Sequence, residues 1–164
     1  MTTEEERKKE FMERCVDREG KATRVDNPAD RRREAKRFRA LSEYHGKAVS
    51  DHLDGEALLM AIEEGYYVML HKANEALVLS GFKPSTHECT LLGLRGIFNS
   101  PQLANDLRRA FRERKNVDYY INPGKPELKE FKNPDDFVNQ TMNPFISKIN
   151  KIIEEEFDEY EGER

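Results

Sequence analysis

Apolar residues recur at steps of three and four along most of this chain, the spacing of helices that each bury one stripe. The clearest row is Leu58, Ile62, Tyr66, Met69, Ala73 and Leu77, in a helix predicted from about Glu56 to Ser80. Gly81 ends that helix, because glycine enters the left-handed conformation without a Cβ penalty, and Pro84 cannot continue it. Thr86 or Ser85 caps the next helix, predicted to reach Phe98 with His87, Leu91, Leu94 and Phe98 along its buried side. Upstream, Asp26 or Asn27 followed by Pro28 is a helix start, since proline in the first turn lacks only a donor that would be unused there. This first bundle helix is predicted to run to about His52, with Ala35, Phe38, Leu41, His45, Val49 and His52 as its stripe, and Asp54-Gly55 breaks it.

Asn99-Ser100-Pro101 marks another stop and start, after which Leu103, Leu107, Ala110, Arg114 and Val117 line a fourth helix. Residues 122–134 read as a proline-rich loop, and a final helix from near Pro134 carries Phe137, Val138, Met142, Phe145, Ile149, Ile152 and Phe157. Asn143-Pro144 should kink or restart it, because proline removes a backbone donor and crowds the preceding turn. Residues 3 to 19 form a short helix with Phe11, Met12, Cys15 and Val16 on one side, and the stretch from Gly20 to Pro28 reads as a break. The pattern predicts an all-α fold: an up-and-down antiparallel bundle of four to five helices over residues 28–160, a partly helical arm at 1–27, and an acidic tail at 161–164.

Composition agrees with that picture. A chain of 164 residues suits one domain, and 37% hydrophobic against 37% charged residues leaves a core built from narrow stripes on otherwise charged helices. A net charge of −4 argues against coating nucleic acid through bulk positive charge. Charge is unevenly spread, however. Arg31, Arg32, Arg33, Lys36, Arg37 and Arg39 crowd one segment, while Glu154, Glu155, Glu156, Asp158, Glu159, Glu161 and Glu163 crowd the other end. The plain reading is solvated helix surface; the sharper one is a basic groove for phosphates with an acidic tail that competes for it.

Cys15 and Cys89 lack the paired spacing of a zinc site and are too few for a disulfide framework, so a reducing cytoplasm is the expected setting. The amino terminus is charged where a signal peptide needs an apolar run, and no stretch approaches the roughly 18 apolar residues of a membrane span. A soluble, cytoplasmic protein without membrane contact is expected. No glycine-rich phosphate loop and no metal-ligand spacing appears, so neither a cofactor nor a metal is expected. His45 and His52 lie about 10 Å apart along a helix, too far for one ion. They read as core or interface histidines.

Arg114 invites chemistry because its stripe position turns it toward the bundle or an interface, where an unpaired guanidinium is costly. Asp118, one turn later, can pair with it on the same helix face, which makes an internal ion pair the structural reading. His71 shares a face with Tyr67, Asn74 and Val78 and reads first as a packing residue. His87, at a helix start where the dipole disfavours its charged form, reads first as a neutral cap.

The segment from Tyr66 to Glu88, with its paired tyrosines, histidine, alanine, glycine turn and second histidine, resembles the HEPN family (higher eukaryotes and prokaryotes nucleotide-binding). Arg114, Asp118 and Tyr119 in RERKNVDYY extend the resemblance, which covers about residues 30 to 160. It implies a small helical protein, commonly a homodimer, often acting with a minimal nucleotidyltransferase in toxin–antitoxin pairs. It also implies nucleotide or RNA binding by Arg114, Asp118, Tyr119, His71 and His87, the last facing the same cleft as Arg114. In ribonuclease members an arginine precedes a histidine by a short spacer, and two copies form the cleft that cuts RNA, with Arg114 in the position that stabilises phosphate charge.

Here the chain departs from that motif: Tyr119, Tyr120 and Ile121 stand where the histidine is expected, and a tyrosine of ordinary pKa near 10 is a poor base at neutral pH. Binding survives the departure, since arginine with nearby tyrosines holds phosphate and stacks a base. Some such pairs modify a tyrosine near the motif, which makes Tyr119 and Tyr120 candidate acceptors. Three functions follow: a binding module working with a nucleotidyltransferase, a metal-independent ribonuclease using Arg114 with His87 or His71, and a helical scaffold whose arginine is only structural.

Overall fold

A computed structural model of the chain describes residues 1–18, 20–55, 57–119 and 128–162. It is an all-α bundle with one small two-stranded ribbon. The main helices are α1 (Glu4–Phe11), α2 (Pro28–Asp54), α3 (Met60–Leu79), α4 (His87–Gly96) and α5 (Pro101–Tyr119). The short α6 (Pro134–Phe137), α7 (Asn143–Glu156) and α8 (Asp158–Gly162) follow. Helix α3 is central: α2, α4, α5 and α7 all pack on it. Its row Ile62, Tyr66, Met69, Ala73 and Leu77 is buried as its spacing predicts, and the first four share one core with Phe137, Phe145, Ile149 and Ile153 of the last helices. Leu58 departs from the expected row: α3 begins only at Met60, and Leu58, in the turn before it, is 36% exposed.

Local chemistry sets the helix ends. Asn27 caps α2, its side chain accepting from the Ala29 N–H at 2.8 Å with Pro28 in the first turn. Thr86 caps α4 by accepting from Cys89 N–H at 3.2 Å. Gly81 sits at φ +99°, which favours glycine, and a Cβ there would also come within 2.9 Å of the Arg31 guanidinium and displace it. Ahead of Pro144 the chain widens into a π-helical turn, Val138–Met142, before continuing as α7. This is the predicted disturbance: proline removes a donor, and the wider turn absorbs the mismatch within a continuous helical path.

The amino-terminal segment is tied to the bundle in three ways. Phe11 is fully buried among Cys15, Ala22, Cys89 and Leu92. Strand β1 (Ala22–Arg24) pairs antiparallel with β2 (Phe82–Pro84) in the register Ala22 to Pro84 and Arg24 to Phe82. Helix α1 lies so close to α4 that a Cβ on Gly96 would approach the Arg7 carbonyl oxygen to 2.6 Å.

A covalent tie adds to these and corrects the expectation for the cysteines: Cys15 and Cys89 form a disulfide across 74 residues. Two cysteines that far apart carry no spacing signal, and only the folding of α1 back onto α4 brings them together. Cysteine usage therefore gives no argument for a reducing compartment. Among the described residues no helix is long and apolar enough to cross a membrane.

Helix α5 carries the predicted stripe, with Leu103, Leu107, Ala110 and Val117 buried. The charge fully buried on this helix is Glu113, a residue outside the predicted stripe. Its carboxylate accepts from the backbone N–H groups of Lys129 (3.1 Å), Glu130 (2.5 Å) and Phe131 (3.1 Å), pinning the loop that precedes α6. At the opposite end, Tyr160 of α8 is buried and donates its hydroxyl to Glu75 at 3.0 Å. That contact brings the acidic segment against the start of α2, where Arg31 and Arg32 face Glu155, Glu156, Asp158 and Glu159 across a cavity of about 370 Å³.

Candidate functional site

Three helices converge on Arg114. Its guanidinium carbon lies 5.3 Å from the Tyr66 ring centroid and 5.0 Å from that of Tyr67, so the half-buried cation is set against two aromatic rings. Such contacts contribute about 1 kcal/mol each when partly desolvated. The two tyrosines are successive residues of α3 and point about 100° apart around it, which lets a side chain from α5 reach both.

Tyr66 links Arg114 to His87. Its hydroxyl lies 3.0 Å from His87 Nδ1 and also accepts a hydrogen bond from Arg114, which can only donate. The phenol keeps its proton, because burial pushes its pKa up to about 12 against the pull of Arg114. The Tyr66 hydroxyl and His87 Nδ1 share this bond in the direction set by the imidazole tautomer. The other ring nitrogen, Nε2, is buried and has no hydrogen-bond partner among the described residues.

The His87 ring stacks on Phe111 of α5, with centroids 3.9 Å apart and planes 18° from parallel. Burial first, then the charges of Arg108, Lys115 and Arg114, lower its pKa to about 4. His87 is therefore neutral at pH 7 in a strongly positive field, with Nε2 unpartnered among the described residues. Helix α4 begins at His87, so the positive end of its dipole has the same sense. The Lys115 ammonium lies 4.4 Å from the Phe111 centroid.

A second row of rings continues from Tyr67. His71 lies 6.2 Å from Tyr67, 5.4 Å from His45 and 6.1 Å from Phe38, with near-parallel planes throughout. His45 in turn is paired with Glu64. Burial, then the charge of His45, lowers the pKa of His71 to about 4, and its buried Nδ1 has no hydrogen-bond partner among the described residues. The residues so assembled offer cations and N–H donors for an anion at one end and flat rings for stacking at the other.

Of the residues singled out in the sequence, the fold brings Arg114 and His87 into one group and joins His71 to it through Tyr67. Asp118 and Tyr119 supply the last backbone of α5, but their side chains, like all of Tyr120, lie outside the described residues. Tyr66, Tyr67, Phe111 and His45 are the members that sequence reasoning did not place in the site. Spacing held a partial signal, since Phe111, Arg114 and Lys115 share one face of α5, as Tyr67 and His71 share one of α3. Among the described residues no three histidine, cysteine or acidic side chains gather to hold a metal ion. No family model, curated protein or solved structure matches this chain.

Proposed function

We propose that this chain is a HEPN-type module that binds nucleotide or RNA at the Arg114 group and acts beside a minimal nucleotidyltransferase, as a homodimer. The observation that carries the binding reading is the grouping of Arg114 with His87, Tyr66 and Tyr67 in the field of Arg108 and Lys115. A phosphate held by these cations would offset the positive charge, while Tyr67, His71 and His45 present rings to a base. The nucleotidyltransferase partner and the candidate acceptors Tyr119 and Tyr120 rest on the family resemblance.

A metal-independent ribonuclease is the second reading, favoured by the closeness of a histidine to Arg114. The same geometry weakens it: an imidazole whose pKa is about 4 is a poor base, and the tyrosine that bonds it is a poorer one. Fluorescence anisotropy with a labelled single-stranded RNA in chelator tests both readings. Saturable binding of RNA that stays intact, weakened about tenfold or more by Arg114→Ala through loss of charge-assisted hydrogen bonds, supports the binding module. Arg114-dependent cleavage supports the nuclease. Equal affinity of the two proteins rejects both and leaves a scaffold.

A further inference from the structure

A cleft of about 660 Å³ runs between α2 and α7 and is floored by α3. It lies on the stripe of α2 next to His45 and shares no residue with the Arg114 group. Its volume is that of a small-molecule site. Val49 of α2, Val68 of α3 and Ile146 of α7 give it apolar surface on each side, and Lys72 of α3 and Asn150 of α7 add polar groups.

Three features single out this cleft. Lys72 is only 6% exposed and pairs with Glu75 Oε2 at 2.8 Å, the one acceptor among the described residues for its three N–H donors. The Asn150 side-chain oxygen is buried with no donor among the described residues. Gly46 stands in the middle of the 27-residue α2, where glycine costs about 1 kcal/mol relative to alanine, and a Cβ there would meet nothing within 4 Å. Neither backbone nor packing asks for glycine at that point. Its absent side chain keeps the cleft wide.

We propose that this cleft is a second binding site, for an amphipathic organic anion. The acidic head sits at the Lys72 ammonium, the apolar body lies along Val49, Val68 and Ile146 over Gly46, and a donor on the ligand meets Asn150 Oδ1. The site is independent of RNA binding at Arg114.

Titration with anilinonaphthalene sulfonate, and with its uncharged counterpart phenylnaphthylamine, tests this by fluorescence. The wild-type protein should bind the sulfonate saturably at one site, about tenfold or more tightly than the neutral probe, as a charge-assisted contact requires. Gly46→Phe projects a ring into the cleft from a position where a Cβ has open space, and should abolish binding while leaving the thermal midpoint unchanged or higher. Lys72→Met keeps the stem and removes the charge, and should erase the preference for the sulfonate. Non-saturable wild-type binding, or Gly46→Phe binding as the wild type does, overturns the proposal even if Lys72→Met does not fold.

Discussion

Acidification from pH 6.5 to 5 should destabilise this protein through His71 and His87 before its carboxylates titrate. Both imidazoles have pKa values lowered to about 4 in the folded chain, against 6.5 for an unperturbed histidine. Above pH 6.5 they are neutral in folded and unfolded states alike and stability does not depend on them. Below it the unfolded chain takes up protons that the folded chain refuses, so stability falls until about pH 4, where the folded histidines protonate too.

Each pH unit in that window is worth about 1.4 kcal/mol per histidine for a fully sequestered group. Both rings keep partial contact with water, which reduces the effect to roughly half, so the pair should cost about 2 kcal/mol between pH 6.5 and 5. Urea unfolding at half-unit pH steps measures it, and His71→Gln and His87→Gln should each remove about half of the slope. A curve flat over this window, or a slope that survives both substitutions, would refute the burial and charge environment assigned to these residues. Inorganic phosphate at the Arg114 group should flatten the His87 share, because a bound anion favours the imidazolium.

Other outcomes follow from contacts elsewhere in the fold. Replacing Cys15 and Cys89 by serine should lower stability by about 2–4 kcal/mol, since a loop of 74 residues constrains the unfolded chain strongly; thiol titration and urea unfolding check the bridge and its effect. Glu113→Ala should cost about 3 kcal/mol by stranding the N–H groups of Lys129, Glu130 and Phe131, with hydrogen exchange at these amides rising first. Gly81→Ala should destabilise by roughly 1–3 kcal/mol, because the side chain meets both a positive φ and Arg31; a thermal midpoint equal to the wild type would contradict that.

Helical periodicity made the bundle legible because α2, α5 and α7 each bury a stripe around a central α3 that is buried on most of its faces, and the Asn27-Pro28, Gly81 and Thr86 signals act through local backbone chemistry. Arg114 was legible as a cation on such a stripe. The features that escaped depend on contacts between distant segments. A three-residue strand such as Ala22–Arg24 has too little pattern to register, and the Cys15–Cys89 bridge exists only because α1 folds back. Tyr66 read as one more core residue until α4 and α5 supplied His87, Phe111 and Arg114 around it. Glu113 and Tyr160 were hidden for a related reason: each looks like surface in a charged segment, and its burial depends on a partner far along the chain.

The central claim is an anion site made by Arg114 and His87, and the direct measurement is the NMR titration of the His87 imidazole with and without inorganic phosphate. The account predicts that phosphate moves the His87 ring resonances saturably and raises its pKa from about 4 toward the ordinary value, and that Arg114→Ala abolishes the response. A ring that titrates identically in the presence and absence of phosphate would contradict it.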